Sequence, residues 1–226
     1  MSADKFLIRF NILYPYRPPG RRVNRVVVVF LTLLLASILL ILWLFLYQKS
    51  LDKPYVEIRG HRVASADNFD GFLRYGDNRE RVQALSRYLA SRGIANVVPV
   101  SSLLRQGGGW IELREPPFAI PPQSEWHNIV KTLTLLRDQI IPLIGSVDVV
   151  AGFHSDAYNR KLEHSDKAHH RDFCALDLIP KSNISHRELV EELRALHARL
   201  GPESNFGLGL SDGVRFHIDT CGYRIW

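Results

Sequence analysis

Three short stretches of this chain concentrate side chains that can hold a metal ion or move a proton: GFHSDAYN over 152–159, HSDKAHHRDFCALD over 164–177, and RFHID over 215–219. Imidazoles and carboxylates are the ligands of catalytic zinc, which takes three from the protein and keeps a fourth position for water. Water bound in that way becomes a nucleophile near neutral pH. The neighbours of two residues sharpen the point. Asp177 stands between Leu176 and Leu178, where an ionised carboxylate is costly unless a cation or several donors meet it. His217 stands between Phe216 and Ile218 in a second apolar run. The isolated histidines His61, His127, His186 and His197 read as ordinary surface or helix-face residues.

Positioning these groups requires rigid elements on either side. Alternating apolar residues predict short strands over 174–179 and 214–220, with a further strand over 146–152. A helix is expected over 79–92, capped by Asn78, with Val82, Leu85, Tyr88 and Leu89 on its inner face and Gly93 at its end. A second helix, capped by Ser124, carries Ile129, Leu133, Leu136 and Ile140. The third is the best specified: Ser185 and Glu188 form a capping box, Leu189, Leu193, Leu196 and Leu200 form a stripe, and Gly201 is the stop. Pro116, Pro117, Pro121 and Pro122 make 114–123 an irregular connection, and the three glycines at 107–109 read as a turn. The pattern is α+β, in one compact domain. An oxidising compartment permits Cys174 and Cys221 to pair. Strand alternation places them on the faces of Asp177's back and His217's front, so pairing calls for a bulge or separate strands.

Residues 26–47 read VVVVFLTLLLASILLILWLFLY without a charge. As a helix this run reaches roughly 33 Å, enough to cross a hydrocarbon core, and Trp43 and Tyr47 suit an interface. It exceeds the apolar core of a cleavable signal, and no A-x-A-like site follows it. Lys5, Arg9, Arg17, Arg21, Arg22 and Arg25 precede the span against Asp4 alone, which puts +5 of the formal net charge of +6 on that flank. Basic flanks stay cytoplasmic, so the domain beyond the span is expected outside the cytoplasm, periplasmic or otherwise extracytoplasmic. The expected organisation is a basic cytoplasmic segment over 1–25, a membrane anchor over 26–47, a stalk over 48–67 containing Pro54, and an exported domain over 68–226. The exported part is nearly neutral, which argues against nucleic acid as a partner.

At this point the chain resembles the zinc D-Ala-D-Ala carboxypeptidase family, which includes peptidoglycan D,D-carboxypeptidases, D,D-dipeptidases and related murein endopeptidases. The family pattern S-x-H-x-x-G-x-A-x-D is similar to AHHRDFCALD over 168–177, and its later F/W-V-H-I/V-D strand to RFHID. GFHSDAYN resembles the Y-R-S-x-x-Y-N segment before the first ligand, and PPFAIPPQSEW followed by a helix also looks like members of the family. The resemblance implies a central antiparallel sheet flanked by helices, as in D-Ala-D-Ala metallopeptidase and hedgehog-like domains. It implies Zn2+ held by His170, Asp177 and His217, and hydrolysis of D-amino-acid-containing peptides of bacterial peptidoglycan, by D,D-carboxypeptidase or cross-link endopeptidase action. His154 stands where the family has arginine, and is implied to meet the substrate carbonyl oxygen. Ser155 and Tyr158 are implied to line the substrate site. Asp212 is the expected general base. Asp219 is a second candidate that can instead orient a ligand, and His169 and His164 are alternates for His170. Ala168 replaces a serine and Phe173 a glycine. These departures keep a second class open, a catalytically degenerate, membrane-anchored wall-binding module.

Overall fold

A computed structural model of the chain describes residues 24–51, 53–162 and 168–226. It divides into two units, Met1–Asp52 and Lys53–Trp226. His164 and the basic residues Lys5, Arg9, Arg17, Arg21 and Arg22 lie outside the described residues.

In the first unit the Asn24 Oδ1 accepts the Val26 amide at 3.1 Å and starts helix α1 (Arg25–Leu51). Its stretch Arg25–Lys49 has a mean hydropathy of 3.0 and is long and apolar enough to cross a membrane. Trp43 and Tyr47, one turn apart, stack at 5.5 Å.

The second unit begins earlier than expected. Strands β1 (Tyr55–Ile58) and β2 (His61–Ala64) pair antiparallel about Arg59 and Gly60, whose φ values of 48° and 82° make the tight turn. The stalk expected over 48–67 is corrected accordingly, because its second half is a folded hairpin with Val63 and Ala64 buried. The Ser65 Oγ then accepts the Asn68 amide and caps α2 (Ala66–Leu73).

There follow α3 (Asn78–Ser91) and α4 (Val100–Leu103). Next, α5 (Asn128–Leu135) runs through a π turn (Leu136–Ile140) into α6 (Ile141–Ile144). Ile129, Leu133, Leu136 and Ile140 are all buried, as the stripe requires. Ser124 does not cap this helix; it sits in a 3-10 turn, and His127 occupies the cap position. Beyond lie β3 (Val147–Ala151), α7 (Asp156–Lys161), α8 (Ala168–Arg171), β4 (Ala175–Pro180), α9 (His186–Leu200), β5 (Gly207–Leu210), β6 (Phe216–Asp219) and β7 (Arg224–Ile225). Helix α9 is built as its sequence demands: the Ser185 Oγ accepts the Glu188 amide at 3.2 Å, and Leu189, Leu193 and Leu196 are buried.

Five strands form one sheet in the order β3-β4-β6-β5-β7, antiparallel except for the last pair. Alternation separates its two faces. Leu176, Leu178, Leu208, Phe216 and Ile218 join the main core with the helices. On the opposite face Ile179 packs with Val150 and with Val63 of the hairpin. Asp177, His217 and Asp219 occupy the intervening positions of β4 and β6, so the sheet's second face carries the chemistry while its first anchors the fold. The architecture is thus mixed α+β with antiparallel pairing and one N-terminal apolar helix.

Candidate metal centre

Register places Asp177 directly opposite His217, and the His217 Nδ1 lies 2.9 Å from the Asp177 Oδ1. His170 arrives from α8, with its Nε2 3.3 Å from the same oxygen. Short range holds α8 there: the Cys174 amide donates to the His169 carbonyl at 3.0 Å and the His154 amide to the His170 carbonyl at 3.1 Å. One donor atom from each of His170, Asp177 and His217 lies within 4.8 Å of the others.

The hydrogen bonds on the far side of each ring decide what the near side offers. A carbonyl only accepts, so the 2.6 Å contact between His170 and the Gly152 oxygen puts the proton on Nδ1 and leaves the Nε2 lone pair facing Asp177. The His217 Nε2 lies 3.1 Å from the Asp219 Oδ2. Asp219 is held below the usual carboxylate range: burial opposes its charge, but His217, the Cys221 amide and Arg224 outweigh it. Ionised, it accepts, so Nε2 carries the proton and Nδ1 points inward. Two imidazole lone pairs and an ionised carboxylate therefore converge on one point, which repels unless a cation or an extra proton sits among them. The carbonyl and carboxylate behind the rings are the supports typical of metal-binding histidines. Two nitrogens and one oxygen in this disposition form a donor set that several divalent metal ions accept, zinc among them.

Asp177 is itself driven well below the usual carboxylate range. Burial works against its ionisation, and in the metal-free protein an extra proton on the rings lets the charge and hydrogen bonds of His170 and His217 overcome it. Its second oxygen accepts from Arg215 at 2.5 Å. Beside this carboxylate opens a cavity of about 390 Å3 lined by His154, Tyr158, Gln106, Arg215, Glu112 and the hairpin residues His61 and Arg62, with Asp177 in its wall.

The structure sorts the expected residues. His154 is buried in the cavity wall, its ring stacked on His170 with centroids 4.4 Å apart. Tyr158 is also in the wall, and burial pushes its hydroxyl up to about 12, so it stays a donor. The Ser155 Oγ accepts the Tyr158 amide and caps α7, and its side chain is not part of the cavity wall. Asp219 touches His217 and acts as its support. His169 faces the sulfur atoms of Cys174 and Cys221 rather than the trio. Asp212 is exposed in the turn between β5 and β6 and is not among the residues of the cavity wall.

Cys174 and Cys221 form a disulfide, with Cα atoms 6.3 Å apart. Alternation argued against it only because it was carried too far: Cys174 precedes β4 and Cys221 follows β6. Phe173 explains the break, since its φ of 52° is a left-handed conformation that glycine favours and phenylalanine adopts at a cost of about 1–2 kcal/mol. Its buried ring meets Phe153 edge-on.

Sequence reasoning assigned no role to the polar cavity residues Arg215, His61, Arg62, Gln106 and Glu112. Arg215 was legible in principle, because it stands in the RFHID segment, two positions before His217. No family model, curated protein or solved structure matches this chain.

Proposed function

We propose that the second unit is a zinc-dependent peptidase that hydrolyses D-amino-acid-containing peptide bonds of bacterial peptidoglycan. The observation that carries the reading is the convergence of the His170 Nε2, the His217 Nδ1 and the Asp177 Oδ1 beside a polar cavity. The identity of the substrate rests on the resemblance of AHHRDFCALD, RFHID and GFHSDAYN to the zinc D-Ala-D-Ala carboxypeptidase family. His170, Asp177 and His217 would hold the zinc, which when bound polarises the peptide carbonyl and lowers the pKa of water.

The chain's own groups do the rest. Asp219 and the Gly152 carbonyl hold the two rings in their ligating tautomers. Tyr158 offers a hydroxyl donor to the substrate. His61 and Glu112 are the proton acceptors that the cavity wall presents. Burial and the charge of Arg215 lower the proton affinity of His61, so it is neutral and able to accept. The basic flank before α1 supports a cytoplasmic N-terminus and an extracytoplasmic catalytic unit. A reporter enzyme fused at either end tests that orientation.

One observation favours a second reading, a wall-peptide-binding module without catalysis: Asp212, the base expected from the resemblance, lies outside the cavity wall. Metal content of the full-length protein in detergent, followed by chromatography of treated murein, separates the two. Zinc with released D-Ala or opened cross-links supports the peptidase; zinc and bound muropeptide without product supports the module; failure to bind zinc removes the peptidase.

A further inference from the structure

We propose that Arg215 is the residue that stabilises negative charge on the scissile carbonyl oxygen, a role that rests on the peptidase reading. In hydrolysis the water oxygen bonds to the carbonyl carbon while the C=O electron pair moves onto the carbonyl oxygen. The pair then returns as the C–N bond breaks, and the leaving amine takes the proton given up by water. The oxygen is fully charged in between, and a donor already fixed beside it lowers that barrier more than any group that must move.

Arg215 meets this requirement on four counts. It stands immediately before β6, two residues ahead of His217. Its guanidinium is pinned to the Asp177 Oδ2, which places it against the trio. It forms part of the cavity wall. A guanidinium has five N–H donors in a rigid fork, so the contact with Asp177 leaves others to meet substrate. The side chain is 38% exposed, open enough to be reached.

Other groups of the same wall lack one of these features. The His154 ring lies flat on His170, at an interplanar angle of 15°. Arg62 is tied to Glu112 at 2.5 Å. The Tyr158 oxygen accepts from the Gly109 amide and lies over Gly107, where any side chain would approach it to 3.1 Å. Arg215 alone among these groups combines a permanent charge with direct contact to a residue of the trio.

The test compares two probes on full-length protein in detergent, at zinc concentrations that saturate each variant: acetyl-D-Ala-D-Ala, and a phosphinate isostere of it whose tetrahedral oxygens mimic the charged intermediate. Calorimetry gives both affinities, and product release gives kcat and KM. Arg215→Ala is expected to lower kcat and phosphinate affinity together, by about 10²- to 10³-fold, with less than about tenfold change for the peptide. Arg215→Lys, which keeps charge but not the fork, should recover part of both. Equal loss of both probes marks Arg215 as a prop for Asp177 and overturns the proposal, as does undiminished phosphinate binding by the alanine variant. If the wild-type protein binds neither probe and yields no product, it is the peptidase reading that fails, and this proposal with it.

Discussion

The Nδ1–H of His170 donates to the carbonyl of Gly152 at 2.6 Å, and that single contact turns the other nitrogen of the ring toward Asp177. Gly152 immediately follows β3, so the residue at the exit of the strand that pairs with β4 sets the tautomer of a residue on α8. Two of the three donors therefore stand on the sheet, and the third is oriented by the residue just after β3.

The first prediction concerns the metal. The full-length chain should bind one zinc, lost in His170→Ala, Asp177→Ala and His217→Ala. Asp219→Asn, which removes no ligand, should weaken zinc by roughly 10- to 100-fold, since it releases the tautomer of His217. Competition with a chromophoric chelator measures both, and unaltered affinity in Asp219→Asn would contradict the arrangement.

A second prediction concerns pH in chelated protein. His217 holds its proton above the ordinary 6.5: burial opposes the charge, but hydrogen bonds to Asp177 and Asp219 outweigh it. Its contribution to stability is complete below 6.5 and is lost as pH rises through the raised value. Asp177 behaves oppositely, contributing above the ordinary 3.8 and losing its effect as pH falls through its depressed value. Metal-free stability should thus peak between about pH 4 and 6.5, and zinc affinity should climb above that range as the His217 proton leaves. Thermal melts across pH with and without zinc check this; metal-free stability that keeps rising past neutrality would refute it.

Two glycines of β5 supply a third test. A Cβ on Gly207 would sit 2.3 Å from the Asp219 Oδ2, and one on Gly209 would sit 2.8 Å from the Trp226 ring and 3.0 Å from the His217 Cβ. Gly207→Ala should cost about 1–3 kcal/mol and reduce zinc affinity although no ligand is changed. A variant that melts lower but binds zinc normally would show that Asp219 can move without consequence.

The disulfide gives a fourth. The bridge joins residues 47 apart in sequence. Restricting a loop of that length in the unfolded chain stabilises the fold by about 4 kcal/mol. Urea unfolding of the Cys174→Ala/Cys221→Ala double variant should register a loss of this order. The oxidised wild-type protein, once denatured, should present no titratable thiol.

Much of this was readable from residue order, for reasons that are local. Leu189, Leu193 and Leu196 repeat at helical spacing, and Ser185 with Glu188 marks the start, so α9 announces itself. Asp177 and His217 stood out because each interrupts an apolar run. What escaped depended on long-range partners. The segment GLGL of β5 looks nothing like a strand, since glycine is poor in strands, and its glycines make sense only beside Asp219 and Trp226. The hairpin over 55–64 was taken for a stalk because its outer face is polar and its inner residues pack on Val150 and Ile179, about ninety or more positions away. His61 and Arg62 went unnoticed with it. Arg215 was visible, but its importance comes from the carboxylate across the sheet, not from its neighbours in sequence.

The cross-strand pairing of Asp177 with His217 has a bearing on how the domain finds its structure. Side chains alternate with a period of two, so sliding β4 by one residue against β6 would set a leucine where Asp177 belongs and turn the carboxylate into the helical core. An ion gripped from both strands can form only when the alignment is right. At a thousandfold excess over its dissociation constant it would add about 4 kcal/mol to that alignment and nothing to its rivals. Such an ion would act as a proofreader of strand pairing before it took part in any chemistry.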